Sequence, residues 1–579
     1  MISVFPYLAL VNNPNENVRA YMTMALVDDG TFCIDGPVRR FGWINDMARV
    51  PQKDGTFRYY SVKAPAVSYA GVPVYWALSR LAPHLGHPRP TEASRPEERA
   101  WWLRTTIWVL RLFAVQLPCF AFLVLFERWL RDFTSDVILR LSAVASVGLG
   151  TNYLAYTLMY TSHALFAVAA FSAFAIAERE LRKSPHHPGR RRASMAFLAG
   201  FCAGWAVLLE YHALPAALVL ALFAAHVFRR PTRLLALAAG GLLHVGAMMG
   251  FQYCAYGNPL TPGHKMVENA TFAAEHEHGL FGIMLPSLEA LGGISFNRGY
   301  GFFGMSPYML LGLLALPLSL LPSPPVRSGA RRPPRQAIVA AVLAMAALWF
   351  ASSGFIHWRG GWTLGARYLG AAPPFFALGA VCLLAAMARR GAWARALARG
   401  LGCGLAIAGV LSIGLVGLVY NTLPEAVSRP LTHFAWPLIR TGFVPHHILE
   451  WLGVEAAWPW YVAAACLVGA PLLVALARQR ERPWHYTLRA FSLLAALALG
   501  MFPALGPLSP EEATGTDLRW FTGIWEPQGR DSLSLARAAP GSGCEKQRLA
   551  RMHRILGMDA EAAALEASSP MTRQQCGIR

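Results

Sequence analysis

Residues 160–193 read YTSHALFAVAAFSAFAIAERELRKSPHHPGRRRA. An apolar run from 160 to 177 ends in a basic segment carrying Arg179, Arg182, Lys183 and Arg190 to Arg192, and apolar residues resume at 194. A helix of roughly 20 apolar residues crosses the hydrocarbon core of a bilayer. Lys and Arg collect in the loops left in the cytoplasm. The stretch therefore reads as one crossing, one cytoplasmic loop and the start of the return crossing.

The same unit repeats outward in both directions. Apolar runs lie at 103–126, 135–153, 160–177, 194–209, 213–228, 234–255, 305–322, 336–353, 367–388, 397–420, 458–478 and 485–506. A shorter stretch, Ile2 to Val11, runs into Asn12-Asn13-Pro14 and reads as a truncated first helix from a late start. With it, the expected fold is an all-α polytopic membrane protein of about thirteen helices. Residues 65–81 are apolar but carry two prolines, which suits a helix lying at the interface. Basic loops at 127–132, 179–193, 229–233, 327–335, 389–399 and 478–482 fall on every second connection. The other connections then share the outer face: 12–102, a turn near 153–162, 210–212, 256–304, 354–366, 421–457 and the tail. The expected organisation is a transmembrane domain over 1–506, with a first outer loop 12–102 and a large outer loop 256–304, followed by an outer tail 507–579. Long outer loops above short basic inner ones place any chemistry on the outer face.

Composition agrees. The chain has 579 residues, 55% hydrophobic and 15% charged, against about 25% charged in soluble domains. The net charge of +20 is spread between apolar runs as positive-inside bias, so no basic patch for nucleic acid forms. Six of the nine cysteines lie in apolar runs, and no pair has metal-ligand spacing. Cys544 and Cys576 share the tail and are candidates for a disulfide if it lies in an oxidising compartment. The run Glu275-His276-Glu277-His278 lacks a third ligand at a fixed spacing, so no metal and no cofactor is expected. Phosphate-loop, dinucleotide and hydrolase-elbow motifs are absent from the sequence.

The outer loops hold the candidate chemistry. Glu16 sits where the first helix would leave the membrane, and a carboxylate there is a candidate general base. Lys63 is placed to meet a phosphate oxygen. The plainer alternatives are a solvated Glu16–Arg19 pair and a snorkelling lysine. In the later loops, Arg298, Arg359 and Arg367 are candidates for gripping a phosphate, since guanidinium pairs with it through two bonds. Trp358 and Trp362 either stack on a sugar or belong to an interfacial belt.

The pattern Asn15-Glu16, Arg19, Tyr21, Gly30, then Lys63-Ala64-Pro65 and the 65–81 helix resembles the GT-C superfamily of membrane glycosyltransferases. The likeness is to its protein O-mannosyltransferase and ArnT-type branch. There the first outer loop opens on an Asp-Glu pair and closes on Lys-Pro-Pro. This chain has Asn15 for the first acid and Ala64 for a proline, and one residue separates Arg19 from Tyr21. A second polar or acidic position of that family falls on Tyr160-Thr161-Ser162-His163. The resemblance implies inverting transfer of a sugar from a polyprenyl-phosphate donor to a lipid, glycan or protein acceptor outside the cytoplasm, in a bacterial inner or plasma membrane. It implies Glu16 and His163 as catalytic residues. Lys63, Arg298 and Arg367 would hold the donor phosphate, and Arg19, Tyr21, Trp358 and Trp362 the substrates. Two rivals remain: a transporter or flippase, and an inactive scaffold of the same fold. Transporters place ionisable residues near the midplane. Here the apolar runs are largely free of Asp and Glu.

Overall fold

The computed structural model describes residues 13–183, 189–270, 282–318, 332–423, 427–441, 458–477, 482–506 and 559–575, with a few isolated positions between. The Ile2–Val11 stub, the 275–278 run and Cys544 and Cys576 lie outside the described residues.

The chain is helical. Helix α1 (Pro14–Asp28) starts where Asn13 accepts a hydrogen bond from the Asn15 amide and Pro14 takes the first turn. Helix α2 (Asp35–Phe41) leads to an antiparallel hairpin, β1 (Met47–Pro51) and β2 (Phe57–Ser61), the only sheet among the described residues. The interfacial segment forms α3 (Ala66–Leu81), with Trp76 and Leu81 exposed and Tyr75 buried.

Each of the twelve apolar runs contains a helix. These are α4 (Pro96–Leu130), α5 (Val137–Leu149), then after the short α6 (Asn152–Thr157), α7 (His163–Arg182) and α8 (Gly189–Leu209). Helices α9 (Leu214–Val227) and α10 (Pro231–Tyr256) follow, and then, past the short α11 (Leu288–Phe296), α12 (Tyr308–Leu318) and α13 (Arg335–Ser353). The set closes with α14 (Ala372–Ala388), α15 (Ala392–Val419), α16 (Trp458–Leu476) and α17 (Pro483–Leu505). Seven of these helices are long and apolar enough to cross a membrane.

Helices α10 and α17 keep rows of exposed leucines, as lipid-facing helices do, whereas α15 is almost wholly buried. Lipid tails are as apolar as leucine, so packing between helices relies on close backbone approach at small residues. A Cβ on Gly200 of α8 would stand 1.9 Å from the Leu237 carbonyl oxygen of α10, and one on Gly240 would stand 2.2 Å from that of Phe197. Helices α15 and α17 meet in the same way, at Gly400 and Gly404.

The connections sort into two groups by contact. On one side, Asp132 meets Arg182 at 2.9 Å, Glu180 meets Arg192 at 3.3 Å and Asp136 meets Arg399 at 2.8 Å. All six of those residues lie in or beside the basic connections. On the other side, the loop after α10 is stitched to the first loop. Glu268 donates its amide to the Met47 carbonyl at 3.0 Å, Trp43 donates to its carboxylate at 2.8 Å, and Tyr256 donates to the Ser61 carbonyl at 2.6 Å.

Candidate functional site

Helix α1 has polar and charged side chains on buried positions: Glu16, Asn17, Arg19 and Thr23. A buried charge is costly unless it is paired and hydrogen-bonded, so the partners of these side chains define the site.

Both oxygens of Glu16 are engaged. Arg111 Nε donates to Oε1 at 2.6 Å, its Nη2 donates to Oε2, and the Tyr160 amide donates to Oε1 at 2.5 Å. Arg111 opens a π turn, Arg111–Gln116, inside α4. Such single-turn insertions recur at functional sites.

Arg19 lies one turn further along. Its Nη1 donates to the Asn15 carbonyl at 2.7 Å and to the Asn15 side-chain oxygen, and its Nη2 donates to Ser162 Oγ at 3.0 Å. Ser162 in turn donates to Glu210. Glu210, between α8 and α9, also meets His163 Nδ1 at 2.8 Å and His212 Nδ1 at 3.5 Å. His212 Nε2 is 2.9 Å from the Tyr368 carbonyl oxygen. Tyr160 seals the base of this arrangement: its hydroxyl donates to the Val67 carbonyl of α3 at 2.7 Å and lies 3.0 Å from Thr23 Oγ1. Gly71 leaves room for that hydroxyl, since a Cβ there would stand 2.0 Å from it.

Lys63, just past β2, pairs with Asp46 at 3.0 Å. Arg367 lies beside Tyr368, with Nη2 3.4 Å from its hydroxyl. The turn at Gly360 makes space for Arg367: its φ is +77°, and a Cβ there would stand 2.5 Å from the guanidinium Nε. Arg19, Lys63 and Arg367 lie within electrostatic reach of one another, with Asp46 and Glu210 as the facing carboxylates. Burial pushes the Arg19 pKa down, partly offset by Glu210 and Asp46, and Arg367 adds to the depression. Lys63 is likewise pushed down by burial, against the pull of Asp46, with Arg19 and Arg367 adding. For Glu210, burial opposes the charge, but His163 and His212 outweigh it and hold the carboxyl well below the usual range. The arrangement is a cationic cluster in which two guanidinium Nε atoms, the buried ones of Arg19 and Arg367, have no hydrogen-bond partner among the described residues.

Of the residues expected from sequence, the structure brings Arg19, Lys63, His163 and Arg367 together, with Glu16 held by Arg111 alongside. The others make different contacts. Tyr21 packs in the core against Phe41, and its hydroxyl donates to the Gly42 carbonyl at 3.2 Å. Trp358 packs edge-on to Tyr300 over Gly293, and Arg359 covers the other ring contact of Tyr300 at 5.2 Å. Arg298 stacks over Phe502 of α17 at 5.9 Å. Trp362 is partly exposed, at 39%. Sequence reading missed Asp46, Arg111, Glu210 and His212. A signal existed for two of them. Arg111 is a charge within a membrane run, and Glu210 is a carboxylate wedged between two such runs; ionisable residues in these places need partners.

No family model matches the chain, and no curated protein matches it. Among solved structures, it is similar to ArnT from Cupriavidus metallidurans in the apo state, at 15% identity and a TM-score of 0.42, over 90% of this chain and 75% of that one. It is also similar to ArnT from the same organism bound to undecaprenyl phosphate, at 16% identity and a TM-score of 0.40, over 91% of this chain and 77% of that one.

Proposed function

We propose that this chain is a membrane glycosyltransferase that moves a sugar from a polyprenyl-phosphate donor to an acceptor on the outer face. The observation that carries the reading is the cluster of buried Arg19 with half-buried Lys63 and Arg367, in which the Nε atoms of Arg19 and Arg367 lack partners among the described residues. A phosphate diester seated there meets three cations, and the charge that develops on it as the sugar departs is what such groups stabilise best. The acceptor attacks the anomeric carbon from the side opposite the phosphate, and configuration inverts. The polyprenyl tail lies in the apolar surface between helices, and the donor therefore reaches the site from the bilayer. Glu16, with both oxygens committed to Arg111 and the Tyr160 amide, serves in this reading to fix α1 against α4 and the start of α7. In this reading Arg298, which stacks over Phe502, is not one of the cations that meet the phosphate.

The test is transfer of radiolabelled sugar by the purified full-length protein from a panel of polyprenyl-phosphate pentoses and hexoses. Wild type is expected to use at least one donor, and Arg367→Met and Lys63→Ala to lower kcat by about 10²–10³-fold each. Absence of transfer from every donor refutes the reading.

A further inference from the structure

Transfer to a hydroxyl or amine needs a group that takes the acceptor's proton, and the Arg111 pairing has committed Glu16 elsewhere. His163 is the first residue of α7 and is buried. Its ring packs edge-on against Tyr156, with centroids 4.6 Å apart. Nδ1 lies 2.8 Å from Glu210 Oε1, close but oblique, so that it falls short of a well-formed hydrogen bond. Base and orienting carboxylate are often imperfectly aligned before substrate binds. Nε2 is sealed from solvent and has no partner among the described residues. A neutral imidazole has one donor and one acceptor nitrogen, and an ionised carboxylate only accepts. The proton therefore belongs on Nδ1, and Nε2 keeps its lone pair.

The neighbouring His212 is bound differently. Its Nε2 faces the Tyr368 carbonyl and its Nδ1 faces Glu210 Oε2, so neither nitrogen is free. Ser162 donates to Glu210 as well. Glu210 is thus held by Ser162 and His212 and aims its charge at one side of His163. The unpartnered nitrogens of Arg19 and Arg367 belong to the same cluster, since both guanidinium groups act electrostatically on His163.

We propose that His163 Nε2 is the general base of the transfer and that Glu210 is the residue that positions it, an assignment that rests on the glycosyl-transfer reading. The acceptor O–H or N–H proton passes to Nε2 as its heteroatom bonds to the anomeric carbon. The bond from that carbon to the phosphate oxygen breaks, and its electron pair stays on the phosphate. The imidazolium so formed is stabilised by Glu210, as the buried carboxylate of a catalytic triad stabilises its histidine. It passes the proton to water when the products leave.

Two measurements on the full-length protein in nanodiscs test this. In the transfer assay, with a donor that wild type uses, His163→Ala is expected to lower kcat by about 10²–10⁴-fold with little change in the donor KM, and added imidazole to restore part of the rate. Glu210→Asp is expected to keep more activity than Glu210→Gln. Should His163→Ala fail to fold, His163→Gln replaces it. In nitrogen-15 spectra of labelled histidine, assigned through the His163 variant, wild type is expected to show the Nδ1-protonated ring and Glu210→Gln a mixture of tautomers. Undiminished kcat in the His163 variants, or a wild-type ring protonated on Nε2, overturns the assignment while leaving the transferase reading intact. Wild type that transfers from no donor overturns both.

Discussion

At the scale of single residues, the site joins paired buried charges to cations that keep donors unpartnered among the described residues. Glu16 and Arg111 are the tightest example, with side-chain exposures of 1% and 4%. Removing one member of such a pair leaves the other charged and unpaired, at a cost of about 3–5 kcal/mol, whereas replacing both with apolar groups is far milder. Glu16→Met is therefore expected to lower the thermal midpoint in detergent, and Glu16→Met with Arg111→Met to recover most of it. Equal losses in the single and double variants would remove the pair from the account. Lys63 gives a prediction in pH. Its pKa in the folded protein is lowered, so the unfolded chain binds more protons over the interval between the lowered value and the ordinary value of about 10.4. Stability from this residue rises with pH through that interval. Under the proposed transfer, donor binding needs the cation and falls through the same interval. The donor KM is thus expected to climb on the alkaline side before an ordinary lysine titrates, and Lys63→Arg to flatten the climb. A pH-independent KM in wild type would contradict this.

At the scale of elements, the helices were legible because their signal is redundant: each run of apolar residues holds a helix, and the interfacial segment 65–81 holds α3. The site was legible only in part. Lys63 and Arg367 stand in polar loops, where a charge invites a question. Glu210 looked like a break between runs, because its importance arises only when α7 brings His163 to it. Which of several outer arginines faces inward is decided by packing: Arg367 is seated by the turn at Gly360, while Arg298 rests on Phe502. Composition also does not reveal which glycines are contact points. Gly200 faces the Leu237 carbonyl, whereas Gly246 on α10 has nothing within 4 Å of its Cβ position. An alanine in an open helical position gains up to about 1 kcal/mol over glycine, and an overpacked one typically loses 1–3 kcal/mol. Gly246→Ala is expected to hold or raise the unfolding midpoint and Gly200→Ala to lower it. Similar shifts in the two would mean that α8 and α10 do not meet there.

At the scale of the whole molecule, the structure has two unlike ends. One is laced by arginine–carboxylate pairs among the basic connections, and the other carries the hairpin, the interfacial helix and the cationic cluster. The positive-inside rule assigns the first to the cytoplasm. In a cysteine-free background, Lys53→Cys at the exposed hairpin turn is expected to react with a membrane-impermeant maleimide on intact cells. Arg390→Cys is expected to react only after permeabilisation. The reverse pattern would turn the molecule over and place the cluster inside.

The cluster is assembled from four stretches far apart in the chain: residues 15–63, 160–163, 210–212 and 360–368. A ribosome has delivered nearly two thirds of the protein before the last of them, Arg367, emerges. Until then the earlier pieces hold charges without their full company. The turn at Gly360 that seats Arg367 is therefore the last part of the cluster to be made, and the charges synthesised before it wait for their neighbours.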